Sequence, residues 1–131
     1  MDMTDGSGPL GAVDLAATTL YAADLDAAVR WYAEKLGLTP MNVGTDGHPF
    51  AVFSLGGTLV VLEPIEAALE PSPPGTESTT INLVVKRDAD EIRSELLAKG
   101  VRCGDVVESP NFRSFLIRDL DGNRYYVAQN R

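Results

Sequence analysis

Little in this sequence is reactive or able to cross-link. Its 131 residues include one cysteine, one histidine and one tryptophan. A lone Cys103 forms no internal disulfide and fits a reducing cytoplasm; with no histidine nearby it reads as a small strand filler rather than a nucleophile. His48 sits in the turn-like stretch Thr45-Asp46-Gly47-His48-Pro49. There is no Ser/His/Asp or Cys/His set and no phosphate-cradling glycine loop. The longest apolar run, residues 59–62, is strand-sized and far short of the roughly 20 residues that span a bilayer. Residues 1–8 lack the basic and apolar regions of a secretion signal. Positive charge is scarce too: eleven Lys+Arg against nineteen Asp+Glu give a net charge of -8. With no basic cluster in view, that argues against nucleic acid.

What the chain does contain is pattern. Residues 15–21 read as a strand, and Asp24 reads as the N-cap of a helix. Leu25, Ala28, Val29, Tyr32 and Leu36 recur at the spacing of an amphipathic helix, which Gly37 ends as a left-handed cap. Residues 38–43 read as a short strand and 45–49 as a turn. Residues 50–55 and 58–63 are strands joined by Gly56-Gly57, a hairpin signal. Residues 14–63 thus make one βαβββ unit. Residues 64–78 hold Pro64, Pro71, Pro73, Pro74 and Gly75 and read as an exposed linker, and residues 1–13 as a flexible start. The same order then repeats over 79–131. It runs as a strand 80–85, a helix 88–99 with Ala89, Ile92 and Leu96 inward and Gly100 closing it, strands 101–107 and 112–118, a turn 119–123 and a strand 124–129. A shift of 63 residues superposes Gly37 on Gly100, Val29 on Ile92 and Leu38 on Val101. A repeat of this length means that neither unit buries its sheet face alone. The expected fold is α+β: a single domain over 14–131 in which two tandem βαβββ units place two curled mixed sheets, each backed by one helix, around a cup.

Two segments carry a family resemblance. Leu20-Tyr21-Ala22-Ala23-Asp24-Leu25-Asp26-Ala27-Ala28-Val29-Arg30-Trp31-Tyr32, running into Lys35-Leu36-Gly37-Leu38, is similar to the opening strand and helix of vicinal oxygen chelate proteins, the superfamily of glyoxalases, bleomycin-resistance proteins and extradiol dioxygenases. Arg113-Ser114-Phe115-Leu116-Ile117-Arg118-Asp119-Leu120-Asp121-Gly122-Asn123 resembles the family's strand-turn signature, with Leu120 where a proline is usual. The signature has a physical reading of its own: Asp119 and Asp121 cap the turn's amides, and Gly122 takes a positive φ. It holds a hairpin and does no chemistry.

Catalytic members of that superfamily hold one divalent metal through His, Glu or Gln on the first and last strands of each unit. Carried over residue by residue, those positions fall on Ala17, Val60, the stretch from Thr80 to Asn82, and Tyr126. These side chains are no ligand set for a hard dication. Glu63 is expected on the strand face opposite Val60. The resemblance therefore implies no metal and no other cofactor. It points to the metal-free, bleomycin-resistance-like branch, whose acidic homodimers sequester an antibiotic without altering it. On that expectation Tyr126, Phe115 and Phe53 stack on a planar ligand beside Val60, Asn82 orients it, and Arg113 pairs with an anion or carbonyl. The bland alternatives are that Phe53 and Phe115 are core and that Arg113 makes a surface ion pair. Three rivals stay open: a metal-independent enzyme of a polyketide-like pathway with Tyr126, Glu63 or His48 as acid or base, a metal-dependent glyoxalase- or dioxygenase-type enzyme, and a pure interaction module. No residue is assigned as catalytic. The expected partners are a small-molecule ligand and a second copy of the chain, with no nucleic acid and no membrane, in the cytoplasm.

Overall fold

In a computed structural model, residues 8–9, 11, 17–44, 47, 49–67 and 80–131 are described. Strand β1, Ala17–Ala22, leads into helix α1, Leu25–Trp31. Asp24 caps the helix: its backbone is extended and its carboxylate accepts from the Ala27 amide at 3.1 Å. The helix widens into a π-helical turn over Tyr32–Leu36 and stops at Gly37, whose φ of 70° suits a residue without Cβ. Strands β2 (Asn42–Gly44), β3 (Phe50–Leu55) and β4 (Thr58–Pro64) complete the first unit. The second unit repeats this with β5 (Thr80–Val85), α2 (Ala89–Ala98), β6 (Arg102–Cys103), β7 (Val107–Glu108), β8 (Phe112–Arg118) and β9 (Arg124–Asn130). Asp88 caps α2 through the Glu91 amide, and past Gly100 the Val101 amide bonds back to the Leu96 carbonyl as the Leu38 amide does to Tyr32. Both helices thus end at a left-handed glycine, with the closing loop of α1 one residue longer because its last turn is π-helical.

Each unit forms one sheet with the same connectivity. The orders are β1-β4-β3-β2 and β5-β9-β8-β6, with β7 also on β8. β1/β4 and β5/β9 are parallel and the other pairs antiparallel. The expected strand over 38–43 is shortened. Pro40 has no amide to give a ladder, and pairing with β3 begins at the Met41 amide, which donates to Val52. The expected strand over 101–107 is split into β6 and β7, both of which still pair with β8. The expected linker loses its first residues: Pro64 ends β4 and Ile65–Ala67 makes a single 3-10 turn, while 68–78 lie outside the described residues. Most of the start over 1–13 and of the turn over 45–49 lies outside them as well. No helix among the described residues is long and apolar enough to cross a membrane.

The buried side of both sheets and the inner faces of both helices share one core. Leu20, Ala51, Phe53 and Leu62 from the first sheet meet Phe115, Ile117, Tyr125 and Val127 from the second through Tyr32 of α1. The Tyr32 ring stacks on Phe53 at 5.1 Å and meets Tyr125 edge-on at 6.2 Å. Its hydroxyl donates to Asp119 Oδ2 at 2.6 Å and lies 2.8 Å from the Tyr125 hydroxyl. Asp119 is only 2% exposed, and its carboxylate also accepts from the Asp121 and Asn123 amides and from Asn123 Nδ2. From the same turn, Asp121 accepts from the Ala23 amide and Asn123 donates to the Tyr21 carbonyl. The turn therefore does more than close the β8–β9 hairpin. It fastens the second unit to the β1–α1 junction of the first.

Burial raises the Tyr32 and Tyr125 hydroxyls above the ordinary tyrosine range, and the neighbouring Asp119 charge pushes the same way. Both groups stay protonated in the fold, whereas the unfolded chain releases those protons near the ordinary value of 10.0. A raised folded-state value gives a contribution that is intact below about pH 10 and fades as pH climbs beyond it, by up to about 1.4 kcal/mol per pH unit for each group. Urea midpoints should be flat up to about pH 9.5 and fall steeply above it. A flat profile through about pH 11 would contradict the buried pair. Tyr32→Phe leaves the Tyr125 hydroxyl and one carboxylate oxygen short of a partner, and should cost about 1 to 3 kcal/mol of unfolding free energy.

Candidate functional surface

Side chains alternate along a strand, so the residues each strand buries fix what its other face carries. On β9, Tyr125 and Val127 are buried and Tyr126 between them points outward, 41% exposed. On β5, Asn82 and Val84 are the exposed positions. The parallel register sets Asn82 directly beside Tyr126, and on the other side Leu116 of β8 is its antiparallel partner. Val84 stands two residues up from Asn82 and is 63% exposed. The outer face of the second sheet therefore presents a phenol, a carboxamide and an apolar surround. Such a surface can stack on a flat molecule and orient it by hydrogen bonds.

The other sequence-predicted residues lie elsewhere. Phe53, Val60 and Phe115 are at most 2% exposed and belong to the core on the helix side of their sheets. Arg113 lies over the start of α2, where its guanidinium donates to Asp90 at 2.7 Å and Glu108 at 3.0 Å, with Asp88 at 3.6 Å. Three carboxylates already engage it, which is the surface ion-pair alternative. Glu63 is half-buried on β4 beside Tyr21, and His48 lies outside the described residues. Cys103 is half-buried and bonds the Val101 carbonyl; burial pushes its thiol up, away from the thiolate a nucleophile needs.

The register also corrects the position carried over from the family onto the last strand of unit one. Leu62 pairs with Leu20 as Val127 pairs with Leu83, and Val61 pairs with Thr19 as Tyr126 pairs with Asn82. Val61, not Val60, is therefore the counterpart of Tyr126. Counting from the Gly56-Gly57 turn slips by one residue, and in a strand that turns the side chain to the other face. The outer face of the first sheet carries Thr19, Tyr21, Val61 and Glu63. Strand alternation counted from buried Leu20 and Leu62 was the signal that would have found them.

A profile of the Glyoxalase/Bleomycin resistance protein/Dioxygenase superfamily matches residues 14–126, and the chain belongs to that superfamily. No curated protein matches the sequence. Among solved structures, a member of the same superfamily from Sphaerobacter thermophilus DSM 20745 superposes with a TM-score of 0.74 at 22% identity, covering 89% of this chain and 97% of that one. TnmS3, an antibiotic binding protein from Streptomyces sp. CB03234, gives 0.73 at 22% identity, covering 91% and 97%. Lactoylglutathione lyase from Agrobacterium tumefaciens gives 0.65 at 24%, covering 88% and 92%. At these identities the likeness is one of fold.

A divalent metal in this superfamily would need carboxylate, imidazole or carboxamide donors converging from the outer faces. The corresponding positions here, Ala17, Val61, the stretch from Thr80 to Asn82, and Tyr126, supply a hydroxyl, one carboxamide and a phenol; Glu63 is a lone carboxylate on the first sheet. Among the described residues no three His, Cys, Asp or Glu side chains gather where they could hold a metal ion. The residues do not fit a hard dication. Protein purified without chelator should carry no stoichiometric Zn, Ni, Mn or Fe by elemental analysis; about one metal per chain would overturn this.

Proposed function

We propose that this member of the superfamily is a metal-free binding protein of bleomycin-resistance type, holding a planar natural product such as an antibiotic on the Tyr126 face without altering it. The observation that carries this is the Asn82–Tyr126 pair, an exposed phenol and carboxamide side by side where catalytic relatives place metal ligands. The antibiotic-binding description of TnmS3, whose fold this chain shares, supports the same reading. Among the described residues, chemistry at this face lacks a partner for Tyr126: Glu63 stands on the other sheet, and Cys103 is held as a thiol within the sheet.

A second copy of the chain completes the proposal. The shared core occupies the helix side of both sheets, so the described residues of one chain leave the outer faces partly open. An apolar face with Val84 and Tyr126 exposed binds tightly only when something walls it in, and small-molecule sites bury most of their ligand. Edge strand β1 gains cover from the same pairing, while the β5 edge stays open. Light scattering should give about twice the 14.0 kDa chain mass; a clean monomer at micromolar concentration would contradict the homodimer.

The binding test starts from a ligand found by thermal-shift screening of planar natural products. Stacking contributes about 0.5 to 1.5 kcal/mol beyond burial, and a hydroxyl hydrogen bond a similar amount. Tyr126→Ala should then weaken binding roughly 5- to 100-fold by titration calorimetry. Because Tyr126 is half open, its unfolding free energy should fall by less than the about 3 to 5 kcal/mol of a buried aromatic. Unchanged affinity with a large stability loss would show that Tyr126 is structural and that the ligand sits elsewhere.

A further inference from the structure

A cleft of about 670 Å³ opens between the two units; Tyr126 does not line it, although its neighbour Asn82 does. Small-molecule sites occupy roughly 300 to 1,000 Å³, so its size is that of a ligand pocket. It runs along the free edge of β5, whose residues 82–85 line it, and is closed off by the end of α1, the β3–β4 turn and the face of α2. Its floor is aliphatic. Leu36, Leu38, Leu83, Val85 and Ile92 are all only half-buried, although they pack against the core. Well-packed interiors leave few voids larger than a water molecule, so this much uncovered aliphatic surface between two packed units calls for a cover.

The charges around that floor run against the rest of the chain. Among the described residues, the lining includes Lys35, Arg87 and Lys99 against a single carboxylate, Glu95, in a protein whose net charge is -8. Arg87 and Glu95 are paired with each other at 2.9 Å. Glu95 also feels Lys99, and the described lining as a whole keeps an excess of positive charge, carried toward the cleft by Lys35 and Lys99. Lys35 Nζ donates to the Lys99 carbonyl at 2.7 Å, which ties the α1 terminus to the end of α2 and fixes one ammonium at the cleft. Lys99 Nζ reaches the Glu34 carbonyl at 3.4 Å. An ammonium has three protons, and each of these bonds takes one.

We propose that this cleft is a second binding site, for an organic anion with an aliphatic body: a carboxylate at Lys35 and Lys99, and the chain on the Leu36, Leu83, Val85 and Ile92 floor. The site is distinct from the Tyr126 face, sharing with it only Asn82 and Val84 at the β5 edge. The combination selects for both parts of such a ligand. An inorganic anion leaves the floor wet, and an apolar cation meets the lysines.

Decanoate, below its micelle concentration, is the probe, added to the full chain at low salt and followed by amide chemical shifts. Saturable shifts should gather at residues 35–38, 83–87 and 92–99, with little change at Leu116 and Tyr126. Decyltrimethylammonium, of equal chain length and opposite charge, should leave those amides in place. The Lys35→Glu/Lys99→Glu variant should bind decanoate about tenfold more weakly, and raised salt should weaken the parent in the same direction. Lys35→Arg/Lys99→Arg keeps the charge and should retain binding, which separates a lost site from a damaged fold. The proposal is overturned if millimolar decanoate moves no cleft amide, if the shifts centre on Tyr126, if the cation binds equally well, or if charge reversal leaves the affinity unchanged. Tyr126→Ala should not affect decanoate, so failure here and failure of the planar-ligand reading show up separately.

Discussion

The buried carboxylate of Asp119 is the constraint on which the rest of the molecule depends. A charge that is 2% exposed is tolerated only with its lone pairs filled, and here four donors fill them. Three of those donors come from its own turn and fix the β8–β9 hairpin. The fourth is the Tyr32 hydroxyl, from the other unit. A local turn motif is thereby converted into a joint between the two halves of a repeat. The Asp121 and Asn123 contacts to Ala23 and Tyr21 set the angle at which the halves meet. Loosening the carboxylate would loosen hairpin and joint together.

That joint decides where function can sit. By drawing both helices and both buried sheet faces into one core, it leaves the outer faces free of structural duty. Tyr126 neighbours Tyr125 in sequence but not in role: one phenol is a beam in the joint and the other lies open beside Asn82. Strand alternation alone makes this division. The same joint leaves a gap at its far side, where the ends of α1 and α2 approach through Lys35 and Lys99 instead of through apolar side chains. The open face and the cleft are thus two outcomes of one packing choice.

Much of the fold was legible because each element announced its ends. Asp24 and Asp88 cap, Gly37 and Gly100 stop, Gly56-Gly57 turns, and the 63-residue shift reveals the repeat. The short strands were less legible, since Pro40 and the break after Cys103 act through hydrogen bonding with a distant partner strand. In the candidate site, Tyr126 and Asn82 could be singled out from the sequence, but their adjacency depends on a parallel register that only the sheet supplies. Val60 was placed by counting from a turn, where an error of one residue exchanges core for surface. Phe53 and Phe115 show the limit of residue type: an aromatic on a strand looks the same from either side. Tyr32 read as one more apolar position of a helical stripe, because its hydroxyl's partner lies 87 residues away.

On the binding function proposed, a flat ligand rests, chemically untouched, on the outer face of the second sheet. Intermolecular nuclear Overhauser effects from a bound planar ligand test it directly. They should run to the Tyr126 ring and the Leu116 methyl groups, with the ligand recovered unchanged after prolonged incubation. Contacts confined to Leu83, Val85 and Ile92, or conversion of the ligand into a product, would contradict it.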